Sequence, residues 1–93
     1  MWELSYDMIL KNDEQDLEID LRSMKRYQKK YILLSHLIKN ADKVVFFNEL
    51  LRVAKTSYAY FWQLMDELKK DIPNIPLEKV EKDGKKGYRW VGN

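Results

Sequence analysis

Catalysis needs groups that can hold a metal or move a proton, and this sequence supplies few of them in any useful arrangement. Among its 93 residues are one histidine, no cysteine and three glycines. His36 has no second imidazole and no activated nucleophile to work with, so a structural role is expected of it. Asp13, Glu14 and Asp16 form an acidic cluster, but they lack the alternating spacing and closing glutamate of a calcium loop and read as a solvated turn. Gly84, Gly87 and Gly92 do not make a phosphate-cradling loop; a turn and a strand end explain them better. The expectation is therefore no catalytic residue, no metal, no cofactor and no enzyme.

What remains is charge. Lys79, Lys82, Lys85, Lys86 and Arg89 fall within residues 76–91, a stretch whose arms carry Leu77, Val80, Tyr88, Trp90 and Val91. Asp83-Gly84 between those arms is a good hairpin signal. The net charge is only +2, but it is unevenly spread: residues 1–23 hold seven acids against two bases, and the remainder holds fifteen bases against eight acids. One end repels a polyanion and the other attracts it; two solvated faces of opposite sign are the plainer reading.

The elements that would position this charge follow from periodicity. With 45% hydrophobic residues, the chain can build one small core, a single domain over 1–93. Trp2, Leu4, Tyr6, Met8 and Leu10 alternate, a polar reversal spans 11–16, and Leu17, Ile19 and Leu21 alternate again. This predicts an N-terminal antiparallel hairpin over 1–22, whose edge is open to a second copy and hence to a homodimer. Ser23 is expected to cap a first helix over 24–39, with Lys25, Arg26, Lys29 and Lys30 on its early turns. Val44-Val45-Phe46 predicts a short strand. A second helix is expected to begin at about Asn48 and to face inward with Leu50, Leu51, Val53 and Ala54. Lys55-Thr56-Ser57 links it to a third helix over 58–70, which is helix-turn-helix spacing. On that third helix Phe61, Leu64, Met65 and Leu68 share one face, while Ala59, Gln63, Asp66 and Lys70 lie opposite. Three helices over 24–70 followed by a basic hairpin over 76–91 predict an α+β winged helix-turn-helix, the hairpin being the wing.

The segments Leu33-Leu34-Ser35-His36-Leu37-Ile38-Lys39-Asn40, Val44-Val45-Phe46-Phe47-Asn48-Glu49-Leu50-Leu51, Leu64-Met65-Asp66-Glu67-Leu68 and Lys86-Gly87-Tyr88-Arg89-Trp90 resemble successive parts of one known pattern. It is that of the winged-helix effector domain of OmpR/PhoB-type response regulators and of membrane-bound relatives such as CadC and ToxR. The resemblance covers nearly the whole length; the helix-two and wing segments carry it most specifically. It departs from the family in Met65, Asp66 and Glu67, where basic residues are usual, and in a shorter connection between helices two and three. The resemblance implies double-stranded DNA as partner, with RNA polymerase or another regulator protein as a further one.

On this reading the third helix enters the major groove. Ala59, Tyr60, Gln63 and Glu67 read bases, with Gln63 suited to adenine and Glu67 to cytosine. Ser57, Tyr60, Lys70, Lys82, Lys85, Lys86 and Arg89 hold phosphates. The alternative is a winged-helix module that docks a protein through its aromatic and acidic third helix, where Tyr58, Tyr60, Phe61 and Trp62 lie beside Asp66 and Glu67. No apolar stretch nears the ~20 residues of a membrane span, the acidic, alternating N-terminus does not read as a signal peptide, and the lack of cysteine fits a cytoplasmic location.

Overall fold

A computed structural model describes residues 1–92. It has three α-helices and two three-stranded antiparallel sheets, a mixed α+β fold.

The first sheet contains β1 (Trp2–Leu4), β2 (Ile9–Asn12) and β3 (Leu17–Asp20) in that order. The expected single hairpin over 1–22 is thus corrected to three strands, because the chain reverses once more at Ser5–Met8. Met8 N–H donates to the Ser5 carbonyl at 3.0 Å, and Ile9 N–H donates to Ser5 Oγ at 3.1 Å. Met8 takes a left-handed φ of 63°. The reversal keeps the period of two, so Leu4 pairs with Leu10 while Tyr6 at the tip stands in solvent. The second reversal lies where the polar run is, as a short 3-10 turn over Asp13–Gln15, with Asn12 Oδ1 accepting from Glu14 N–H.

The first helix is shorter than its apolar spacing suggests. α1 runs Lys29–Lys39, and its N-cap is Gln28 rather than Ser23. Residues 21–28 form two successive turns instead, closed by Met24 N–H to the Leu21 carbonyl and Gln28 N–H to the Lys25 carbonyl. Met24 is still buried, and Arg26 stacks 4.0 Å from the Tyr6 ring centre and donates to the Tyr6 carbonyl. That tie holds the segment against the Ser5–Met8 turn and out of helical register.

β4 (Val44–Phe46) leads directly into α2 (Phe47–Ala54), whose first residue is the neighbour of Asn48. Leu50 and Ala54 are buried, while Leu51 and Val53 are half-buried. Lys55 ends α2 in a left-handed conformation, with its N–H on the Arg52 carbonyl and the Thr56 N–H on the Leu51 carbonyl. α3 (Tyr58–Asp71) starts two residues later, and its Phe61, Leu64, Met65 and Leu68 enter the core together with Leu33, Leu34 and Leu37 of α1. No helix among the described residues is long and apolar enough to cross a membrane.

The second sheet has the order β4, β6 (Lys85–Trp90), β5 (Leu77–Lys82). Asp83 and Gly84, with φ of 53° and 77°, make the two-residue reversal that suits the twist of a hairpin. β6 is the central strand, and it sends Tyr88 and Trp90 into the core. Trp90 meets Trp2 edge-to-face at 5.4 Å, which joins the two sheets. Within the second sheet, Gly87 of β6 pairs with Phe46 of β4, and a Cβ there would lie 2.6 Å from the Val45 carbonyl oxygen.

Gly87→Ala should therefore force β4 and β6 apart and destabilise the fold by roughly 1–3 kcal/mol, the usual cost of overpacking. Gly84→Ala has open space and should cost only ~1 kcal/mol through backbone strain. Urea denaturation of both variants checks this; equal losses would mean that the close approach at Gly87 does not matter.

Candidate nucleic-acid interface

α3 presents its outer face because its inner face is fully used. The helix begins cleanly, with Ser57 Oγ accepting from the Tyr60 N–H at 3.2 Å, so the hydroxyl expected at a phosphate already has a structural task. Ala59, Gln63, Asp66 and Lys70 are exposed and, at ~100° per residue, form one stripe within ~60° of each other, with Asp66 at the edge nearest Trp62. Tyr60 and Glu67 lie on the other flank, toward α1. Lys29 Nζ is 5.8 Å from the Tyr60 ring centre, and Lys30 Nζ is 3.6 Å from Glu67 and 3.0 Å from Asp71. These carboxylates hold the Lys30 ammonium above its usual pKa, the hydrogen bond to Asp71 first. Glu67 is thus partly engaged with a lysine rather than free to face a cytosine.

The hairpin divides its cations between two faces. Strand alternation and the register Lys79↔Tyr88, Glu81↔Lys86 and Lys82↔Lys85 put Lys79, Glu81 and Lys86 on the face of Tyr88 and Trp90. Lys82 and Lys85 lie on the opposite face with Glu78 and Arg89. Arg89 is half-buried and bonded to Glu78 Oε2 at 2.8 Å, so its guanidinium is already neutralised across the strands. Lys82 and Lys85 are exposed cross-strand partners with no ion pair among the described residues. Like charges directly opposite each other oppose the pairing by a few tenths of a kcal/mol up to ~1 kcal/mol.

Two further features escaped the sequence reading. A groove of about 610 Å3 runs between the start of α1, the Lys55–Ser57 turn and α3, where Lys29 Nζ donates to the Lys55 carbonyl at 2.8 Å. A slot of about 420 Å3 lies between α3 and the hairpin, walled by Phe47, Tyr58 and Trp62 and edged by Lys79 and Lys86. Phe47 went unremarked because it falls between the strand expected at Val44-Val45-Phe46 and the helix expected from about Asn48. Once it stands on α2, its ring packs on Tyr88 at 5.5 Å and on Trp62 at 5.4 Å. His36 bridges α1 to α2, with Nε2 2.6 Å from Glu49 Oε2.

Tyr88 lies under this slot. It is only 1% exposed, and its hydroxyl has no hydrogen-bond partner among the described residues. Burial, with smaller effects from Asp66 and Tyr58, pushes its pKa up to about 12. Because burial disfavours the phenolate in the folded chain, the ionisation of Tyr88 leaves stability unchanged below pH ~10 and lowers it as pH rises from there toward 12. Tyr88→Phe removes an unpaired polar atom, so the variant should be at least as stable as the parent at pH 7. Its advantage should widen between pH 10 and 12 in denaturant titrations; a destabilised variant at pH 7 would mean that the hydroxyl has a partner.

Comparisons with protein-family models, with curated proteins and with solved structures find no match to this chain.

Proposed function

We propose that the chain is a winged-helix DNA-binding domain of a transcriptional regulator, of the OmpR/PhoB type that its segments resemble. In this reading α3 lies in the major groove of double-stranded DNA and the β5–β6 hairpin is the wing on the phosphate backbone. The observation that carries it is the tip of that hairpin, where Lys82 and Lys85 face each other unpaired and Lys86 stands exposed beside them. A repulsion built into a tight turn is relieved when a polyanion binds there. Three features around it agree. Three residues join α2 to α3, the stripe Ala59, Gln63, Lys70 is exposed with Asp66 at its edge, and the turn before α1 and the helix's first residue add exposed Lys25 and Lys29. Base reading then falls to Gln63 and Ala59, with Tyr60 and Glu67 at the stripe's α1 edge and Ser57 at its start. Arg89 contributes by bracing Glu78 and the hairpin rather than as a free cation.

A second reading is favoured by one observation. Tyr58 is 54% exposed and Trp62 is partly buried beside exposed Asp66, an aromatic and acidic flank suited to a protein partner. Binding to a labelled mixed-sequence duplex across a salt series separates the two. Micromolar binding that weakens steeply with salt supports the DNA reading, and no binding at low salt transfers the function to protein docking.

Within the DNA reading, Lys85→Ala with Lys86→Ala should weaken binding to all duplexes by a similar factor and reduce the salt slope by about 1.8, roughly 0.9 per phosphate contact. Unchanged affinity would remove the hairpin from the interface. Gln63→Ala should leave nonspecific binding intact and cost about 1–3 kcal/mol of discrimination at one base pair of a selected site. A uniform loss across all sequences would instead make Gln63 a phosphate contact.

A further inference from the structure

The slot between α3 and the hairpin is not explained by duplex binding. A duplex in the major-groove pose needs the stripe Ala59, Gln63, Lys70 and the hairpin tip, not an aromatic recess. Yet Tyr58 and Trp62, one helical turn apart, leave ring surface open to solvent, 54% of Tyr58 and part of Trp62. Their rings meet edge-to-face at 5.8 Å, with Phe47 as a floor against Trp62. The slot's volume of about 420 Å3 lies within the ~300–1,000 Å3 of small-ligand clefts. Its rim is cationic, with Lys86 lining it and Lys79 Nζ resting 4.9 Å from the Trp62 ring centre.

We propose that this slot binds one unpaired nucleotide of a single nucleic-acid strand, its base stacked against Trp62 and Tyr58 and its phosphate held by Lys79 and Lys86. The ligand chemistry follows from the two halves of the site. Aromatic faces accept any base, because every base has a π-face, and an ammonium beside them accepts the phosphate that the base carries. Lys79 occupies the Trp62 ring when the slot is free, and a cation–π contact of that kind is weak enough at an exposed site to be exchanged for an ion pair with phosphate. Glu81 also lines the slot, and its carboxylate keeps the phosphate away from its own corner. This binding does not rest on the duplex reading, although it shares Lys86 with it, and would adapt the domain to melted or damaged DNA or to RNA.

The test uses the full chain with oligo(dT) of about twelve nucleotides, within the ~4–16 nucleotides that single-strand sites cover, and an abasic strand of equal length. Trp2 and Trp90 are 8% and 0% exposed, so quenching of tryptophan emission on binding reports Trp62. Oligo(dT) should quench part of the emission and bind at least ~5-fold more tightly than the abasic strand, the lower end of stacking by one base. Lys79→Ala with Lys86→Ala, both exposed residues, should lower the salt slope by about 0.7, the value for one single-strand phosphate. Equal affinity for the abasic strand, unquenched emission with bound oligo(dT), or an unaltered salt slope each overturns the slot. Duplex binding with unquenched Trp62 rejects the slot and keeps the duplex reading; quenching by oligo(dT) without duplex binding does the opposite.

Discussion

The approach of β4 to β6 at Gly87 is the constraint on which the rest of the structure depends. Only a hydrogen fits between the Gly87 Cα and the Val45 carbonyl. Closing that gap lets β6 lie between β4 and β5, and this fixes Tyr88 and Trp90 in the core. The same ladder anchors the start of α2, because β4 runs into Phe47 without a break. Phe47 then sets Trp62, and through it the flank of α3 that looks toward the hairpin. The side-chain contacts between α3 and the hairpin, Phe61 with Tyr88 and Lys79 over Trp62, are thus set by backbone contact elsewhere.

Electrostatics adds a polarity to this scaffold. The first sheet and its turn carry exposed Asp13, Glu14, Asp16, Glu18 and Asp20, and most of the unpaired lysines stand on the hairpin, on α3 and at the start of α1 with the turn before it. Several cations are neutralised internally: Arg22 by Asp20, Lys30 by Glu67 and Asp71, Arg89 by Glu78. What is left for a partner is a small set of lysines, and the local field depends on which of them a strand's alternation turns outward.

Much of the scaffold was legible in the sequence, and its misreadings have physical causes. α3 announced itself through Phe61, Leu64, Met65 and Leu68; the hairpin did so through Asp83-Gly84 between two alternating runs. The reversal at Ser5–Met8 was invisible because it preserves the period of two and contains no glycine, proline or asparagine. The start of α1 was misplaced because Met24 is buried as a helical residue would be, while the Arg26–Tyr6 contact holds residues 21–28 in turns. For the interface, the sequence could count lysines but not tell Lys85 from Arg89, since a cross-strand carboxylate is a matter of register. It could also not bring Phe47 and Trp62 together, because they lie on different elements.

The edge-to-face meeting of Trp2 and Trp90 has a kinetic consequence. These rings sit at nearly opposite ends of the chain, and joining such ends costs roughly 4 kcal/mol of closure entropy before the contact returns anything. Local hairpins and helices have no such debt and can form first. The acidic sheet is therefore expected to dock late in folding and to open early in native-state hydrogen exchange. Its release would uncover Trp90 at the base of the basic hairpin, so the order of the proposed wing is linked to the farthest residues in the sequence.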